Sequence, residues 1–107
     1  MPFEETVMAE VIELSKIQED VTKLAKEYGA ENVYLFGSYA RGEATPDSDI
    51  DLRIDKGSIR GLYKLAGLHM ALESMLNHKV DLLTTDSLDT GFLNKISGEE
   101  IQLYGNR

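Results

Sequence analysis

The stretch LFGSYARGEATPDSDIDLRID, Leu35 to Asp55, holds two short apolar runs separated by a polar turn. Gly37-Ser38 closes the first run. Ten residues then intervene before Asp49, and Asp51 follows two positions later inside an alternating run. Working outward, Asn32 to Phe36 predicts a strand, and its lack of alternation suggests burial on both faces. Ser38 to Arg41 reads as the opening turn of a short helix that Ser38 can cap. Glu43 to Ser48, with Thr45-Pro46-Asp47, is a loop. From Asp49 to Asp55 the period is two, with Ile50, Leu52 and Ile54 on one side and Asp49, Asp51, Arg53 and Asp55 on the other.

On the N-terminal side, Glu4 to Tyr28 predicts helix, ended by Gly29 as a C-terminal cap. Val7, Val11, Leu14, Ile17, Val21, Leu24, Ala25 and Tyr28 fall at the spacing of one apolar stripe. The spacing leaves open whether this is one helix or two broken near Leu14 to Ile17. On the other side, Ile59 to Asn77 predicts a helix with Leu65, Leu68, Leu72, Met75 and Leu76 on its apolar side. Gly61 and Gly67 within it mark a bend or a close approach. Lys79 to Leu83 predicts a strand, and Gly91 to Tyr104 a short helix with a short strand around Ile101 and Leu103. Strands alternating with helices give an α/β sandwich with helices on one face.

Composition bounds the rest. A length of 107 residues suits one domain, 1–107, with residues 1–15 as an N-terminal helical extension. The chain has no cysteine, so neither a disulfide framework nor a zinc–thiolate site is expected. No apolar run reaches the roughly 18 residues of a membrane span. A polar N-terminus without signal-peptide character makes a cytosolic, soluble protein the expectation. The net charge is −8 and no basic patch is evident. Direct nucleic-acid binding is therefore not expected, and a basic protein partner is favoured. Asp47, Asp49, Asp51, Asp55 and Asp81 are candidates to gather in one place, where bound cations would offset them.

One-sided helices give the acids a direction. With Ile50, Leu52 and Ile54 facing the helices, Asp49 and Asp51 project from the open face, about 7 Å apart along the strand. Carboxylate oxygens at that spacing can converge on two metal ions about 3.5–4 Å apart. Val80 and Leu82 pack inward by the same alternation, which sends Asp81 to the open face. Hard Mg²⁺ suits carboxylates plus substrate phosphates. Gly37 lets backbone approach a phosphate closely, Ser38 can add a hydroxyl bond at a helix N-terminus, and Arg41 lies one turn along with forked donors. Each piece alone is common; the order and spacing together point to a nucleoside triphosphate held through divalent metal.

GSYARG followed by SDIDL resembles the minimal nucleotidyltransferases of the DNA polymerase beta superfamily, over roughly Ala25 to Tyr104. The resemblance implies the polymerase beta-like nucleotidyltransferase fold, a small mixed sheet with an open catalytic face. It implies that Gly37 and Ser38 bind ATP's triphosphate, that Asp49 and Asp51 hold Mg²⁺, and that Asp81 in KVDLL is a third metal-site carboxylate that helps activate the acceptor. Arg41 matches a basic position suited to nucleotide phosphate. In size the chain is similar to the antitoxins paired with HEPN-domain ribonuclease toxins, which implies AMP transfer from ATP to a tyrosine hydroxyl of that toxin. With little room for an acceptor-gripping domain, the acceptor platform is expected from the partner.

A non-catalytic binding module that neutralises a partner by covering it is the alternative, but it would need none of these site residues. Transfer to a small molecule or to RNA is disfavoured by the missing acceptor domain and by the acidic charge. His69 and His78 read as structural or solvent-facing, and Tyr34 and Phe36 as core. Tyr39 is a candidate to line the nucleotide pocket, Tyr63 and Tyr104 to be partial core or interface. Arg53 is expected to pair with acids, Asp55 to cap or turn, and Glu99 and Glu100 to be a solvated face.

Overall fold

A computed structural model describes residues 10–106. In chain order these form α1 (Leu14–Tyr28), β1 (Asn32–Phe36), α2 (Gly37–Arg41), β2 (Ile50–Asp55), α3 (Gly61–Leu76), β3 (Val80–Thr84), a 3₁₀ turn (Thr85–Ser87), α4 (Thr90–Ser97) and β4 (Ile101–Tyr104). The four strands make one sheet in the order β3-β2-β1-β4. β1 runs antiparallel to both β2 and β4, while β2 and β3 are parallel, joined by α3. A parallel pair needs such a crossover, and α3 supplies it.

Helices α1 and α3 cover one face. The core beneath them joins Ile17, Val21, Leu24, Val33, Leu35, Ile50, Leu52, Ile54, Leu68, Leu72, Leu76 and Val80. The apolar sides expected of α1 and α3 are thus the buried ones from Ile17 onward. Gly67 is a close approach between the two helices, where the Tyr28 hydroxyl donates to its carbonyl at 3.4 Å. Gly29 caps α1 with φ at 88° and its N–H on the Ala25 carbonyl.

Several expectations change here. Among the described residues the helix that ends at Tyr28 begins at Leu14, which answers the open question of a break near that point: Glu13 is extended and the Ile12 N–H goes to the Tyr39 hydroxyl at 3.3 Å. Residues 1–9, including Val7, lie outside the described residues. Val11 and Leu14 are exposed rather than part of the buried stripe. β1 does alternate in burial: Val33 and Leu35 face the helices, while Tyr34 is half-buried on the other side under the Arg53 guanidinium, 4.0 Å from its ring centroid. Phe36 is buried on that second face too, edge-on to Phe92 of α4. Four bulky side chains in a row hid this pattern. Tyr63 is 97% exposed, which removes it from the core, whereas Tyr104 packs against it.

Candidate active site

The second sheet face carries the acids. In parallel register Asp51 stands opposite Asp81, so the two carboxylates are cross-strand neighbours pointing the same way. Ile50 and Leu52 are fully buried on the helix side, which forces Asp51 outward. Burial pushes the Asp51 carboxyl up to about 6; the Asp81 carboxylate beside it and then Asp49 add to the rise, and Arg41 opposes it. Two like charges at this distance favour a proton or a cation between them.

Asp49 stands one residue before β2, so the ladder does not orient it. Its carboxylate lies 3.6 Å from Lys79 Nζ. Among the described residues no three acids or histidines converge on one point. The donors nonetheless suit a hard cation in kind: carboxylate oxygens only, with Asp51 and Asp81 already adjacent. Asp47 is exposed in the loop. Asp55 stands at the far end of β2, bound by Asn32 Nδ2 at 3.0 Å. Of the five acids, Asp51 and Asp81 stand side by side, and Asp49 acts on Asp51 from just before the strand.

Gly37 opens α2 directly against this pair. Its φ is 77°, and a Cβ there would collide with Asp51 Oδ2. Only glycine allows that approach at no steric cost. Ser38 is the second residue of α2, and the helix has no side-chain cap, because Phe36 is its N-cap residue. The expected Ser38 cap is thus replaced by position: a residue inside the helix cannot cap it. Arg41 sits at the end of α2, donating from Nε to Glu43 at 2.9 Å and from Nη1 to both Glu99 oxygens at 3.2 Å.

Several residues take roles that the sequence concealed. Tyr39 points into the core, not toward a nucleotide, with its hydroxyl on Ile12 and its ring edge-on to His78. His78 Nε2–H donates to the Ser48 carbonyl at 2.6 Å, tying down the backbone that delivers Asp49. The Ile50 N–H, on the Lys79 carbonyl at 3.0 Å, fixes the other side. His69 bonds the Val80 carbonyl at 2.6 Å. Both histidines are structural, as expected. Glu99 and Glu100 are not a solvated face. Glu99 accepts from the Gly37 N–H at 2.8 Å, which with Arg41 holds its carboxyl below the usual range. Glu100 grips Arg53 with bonds of 2.6 and 2.8 Å. No local pattern marks these two; only the pairing of β4 with β1 carries them across the sheet.

The sequence profile described as "Polymerase beta, Nucleotidyltransferase" matches residues 19–107. The chain is 37% identical over 79 residues to "Protein adenylyltransferase MntA" of Thermococcus cleftensis, covering 74% of this chain and 80% of that protein. Its fold is similar to a structure described as a toxin-antitoxin with AMP-PNP, at TM-score 0.73 and 27% identity, over 84% of this chain and 74% of that one. It is also similar to the complex of a tri-AMPylated Shewanella oneidensis HEPN toxin with its MNT antitoxin, at TM-score 0.65 and 25% identity, over 84% and 71%. With the Gly-Ser turn, the acidic strand pair and the four-stranded mixed sheet, these matches identify the chain as a minimal nucleotidyltransferase of the polymerase beta family.

Proposed function

We propose that this nucleotidyltransferase moves AMP from ATP, with Mg²⁺, onto a hydroxyl of a partner protein in the cytosol. The hydroxyl is a tyrosine's and the partner a HEPN-type toxin, which makes the chain an antitoxin. The observation that carries the chemistry is the Asp51–Asp81 pair laid against a glycine whose missing Cβ lets the Asp51 carboxylate sit directly on the turn. The names of the relatives support the acceptor class, and the acidic balance of −8 suits a basic partner.

In this reading Asp49, Asp51 and Asp81 would hold the ions, which when bound polarise phosphoryl oxygens and offset charge on the leaving pyrophosphate. The residues of the chain do the rest. Gly37 presents its N–H to a phosphate oxygen, and Ser38 adds its hydroxyl. Arg41 binds phosphate through its fork. Asp81, the more exposed member of the pair, accepts the proton of the attacking hydroxyl at a carboxylate oxygen. His78 acts at one remove by fixing Ser48. Replacing His78 by alanine is expected to lower transfer about tenfold by misplacing Asp49, and to lower stability by about 1 kcal/mol for the lost buried bond. Chemical denaturation beside the transfer assay separates the two effects.

The decisive assay uses ATP labelled at the α-phosphate beside ATP labelled at γ, with the partner protein and Mg²⁺. Label from α but not γ should appear on the partner, and chelating the metal should abolish it. Tight association with the partner but no α-label on it would instead establish a non-catalytic binding module.

A further inference from the structure

Glu99 sits on the donors that a nucleotide phosphate would use. Its Oε2 accepts from the Gly37 N–H at 2.8 Å, and both its oxygens lie 3.2 Å from Arg41 Nη1. A carboxylate from the α4–β4 junction thus takes the anion position beside Asp51. Its backbone is anchored on both sides. The Glu99 N–H bonds the Ile96 carbonyl at 3.0 Å, and the next side chain, Glu100, is 9% exposed in its ion pair with Arg53. The Glu99 side chain is 26% exposed and needs only its own rotations to leave.

We propose that Glu99 is a built-in competitor for the nucleotide, an intramolecular anion that the triphosphate must displace. The inference rests on the nucleotide reading of this site. A carboxylate offers acceptor oxygens of the same charge sign as a phosphate, and an arginine fork takes either. While Glu99 is docked, Gly37 and Arg41 are occupied. Affinity for ATP is therefore reduced by the fraction of chains with Glu99 released. Rotation of the side chain restores both donors without moving the sheet. Glu43 shares Arg41 but does not reach Gly37, so it separates freeing the arginine from freeing the turn.

Calorimetric titration of the full chain with ATP and Mg²⁺ tests this. Glu99→Gln and Glu99→Ala are each expected to bind ATP about tenfold more tightly than wild type. Glu43→Gln is expected to stay within about twofold, since its pair is exposed. Melting curves confirm that each variant is folded. Wild-type binding with both Glu99 variants equal or weaker overturns the competitor role alone and makes Glu99 a positioning residue for Arg41. Failure of every protein to bind ATP overturns the nucleotide reading, and the inference with it.

Discussion

Replacing Asp51 by asparagine should lower nucleotidyl transfer by about 10³-fold while making the protein slightly more stable at neutral pH. In the proposed mechanism the activity loss follows from removing a charge that would hold cations and face developing phosphoryl charge, where a single preorganised group is worth about 10²–10³ in rate and a metal ligand at least as much. The stability gain follows from the site's own repulsion. Burial and the Asp81 and Asp49 charges raise the Asp51 carboxyl to about 6 in the folded chain, above its ordinary 3.8. The folded state therefore holds the proton more tightly than the unfolded state. This contribution to stability is complete below about pH 4 and is lost as pH rises through about 6. The side chain is partly solvated, so screening leaves an effect of about 1 kcal/mol. Denaturation curves at pH 4 and pH 7 should show the asparagine variant gaining on wild type only at the higher pH. Adding Mg²⁺ at pH 7 should stabilise wild type and leave the variant unmoved. A variant that keeps full transfer would remove Asp51 from the metal site.

Gly37→Ala is expected to damage both fold and activity. At φ 77° an alanine carries the left-handed penalty of about 1–2 kcal/mol. Its Cβ would also run into the Asp51 carboxylate, which relieves the overlap only by turning away. Together these should cost about 2–3 kcal/mol and lower the melting temperature by about 10 °C or more. Even the folded fraction should transfer poorly, because the rotated Asp51 no longer faces Asp81. The clash has its own signature. In an Asp51→Ala background, adding Gly37→Ala should cost less than in wild type by about 1 kcal/mol, a coupling expected only of side chains in contact. Additive costs would show that backbone strain alone drives the effect.

Much of this arrangement was legible in the amino-acid sequence, for physical reasons specific to each element. Ile50, Leu52 and Ile54 alternate with Asp51 and Arg53, and a strand pleat converts that into two faces. Val80 and Leu82 repeat the device, so the alternation alone sends Asp81 to the same face as Asp51. A helix break near Leu14 stayed open in the sequence: apolar spacing continues through Val11, but the Ile12 N–H has a distant acceptor on Tyr39. The inward turn of Tyr39 was not legible, since a residue next to Ser38 looks equally suited to either side. Glu99 and Glu100 were misread because two adjacent acids in a short tail usually are solvated. Their partners, Gly37 and Arg53, lie 62 and 47 positions away.

By itself the sequence determined the α/β alternation, the glycine turn and the direction of the two strand aspartates. Those features depend on residue type, helical or strand period and short spacing, all of which act within a few residues. Tertiary structure alone decided that Asp49 faces Lys79, that His78 tethers the loop before it, and that Glu99 rests on the Gly37 turn. Each of these joins groups on different elements, and the strand order β3-β2-β1-β4 brings them together. Non-local contacts of that kind carry no periodic trace along the chain, because hydrogen bonds and charges act through space rather than along the sequence.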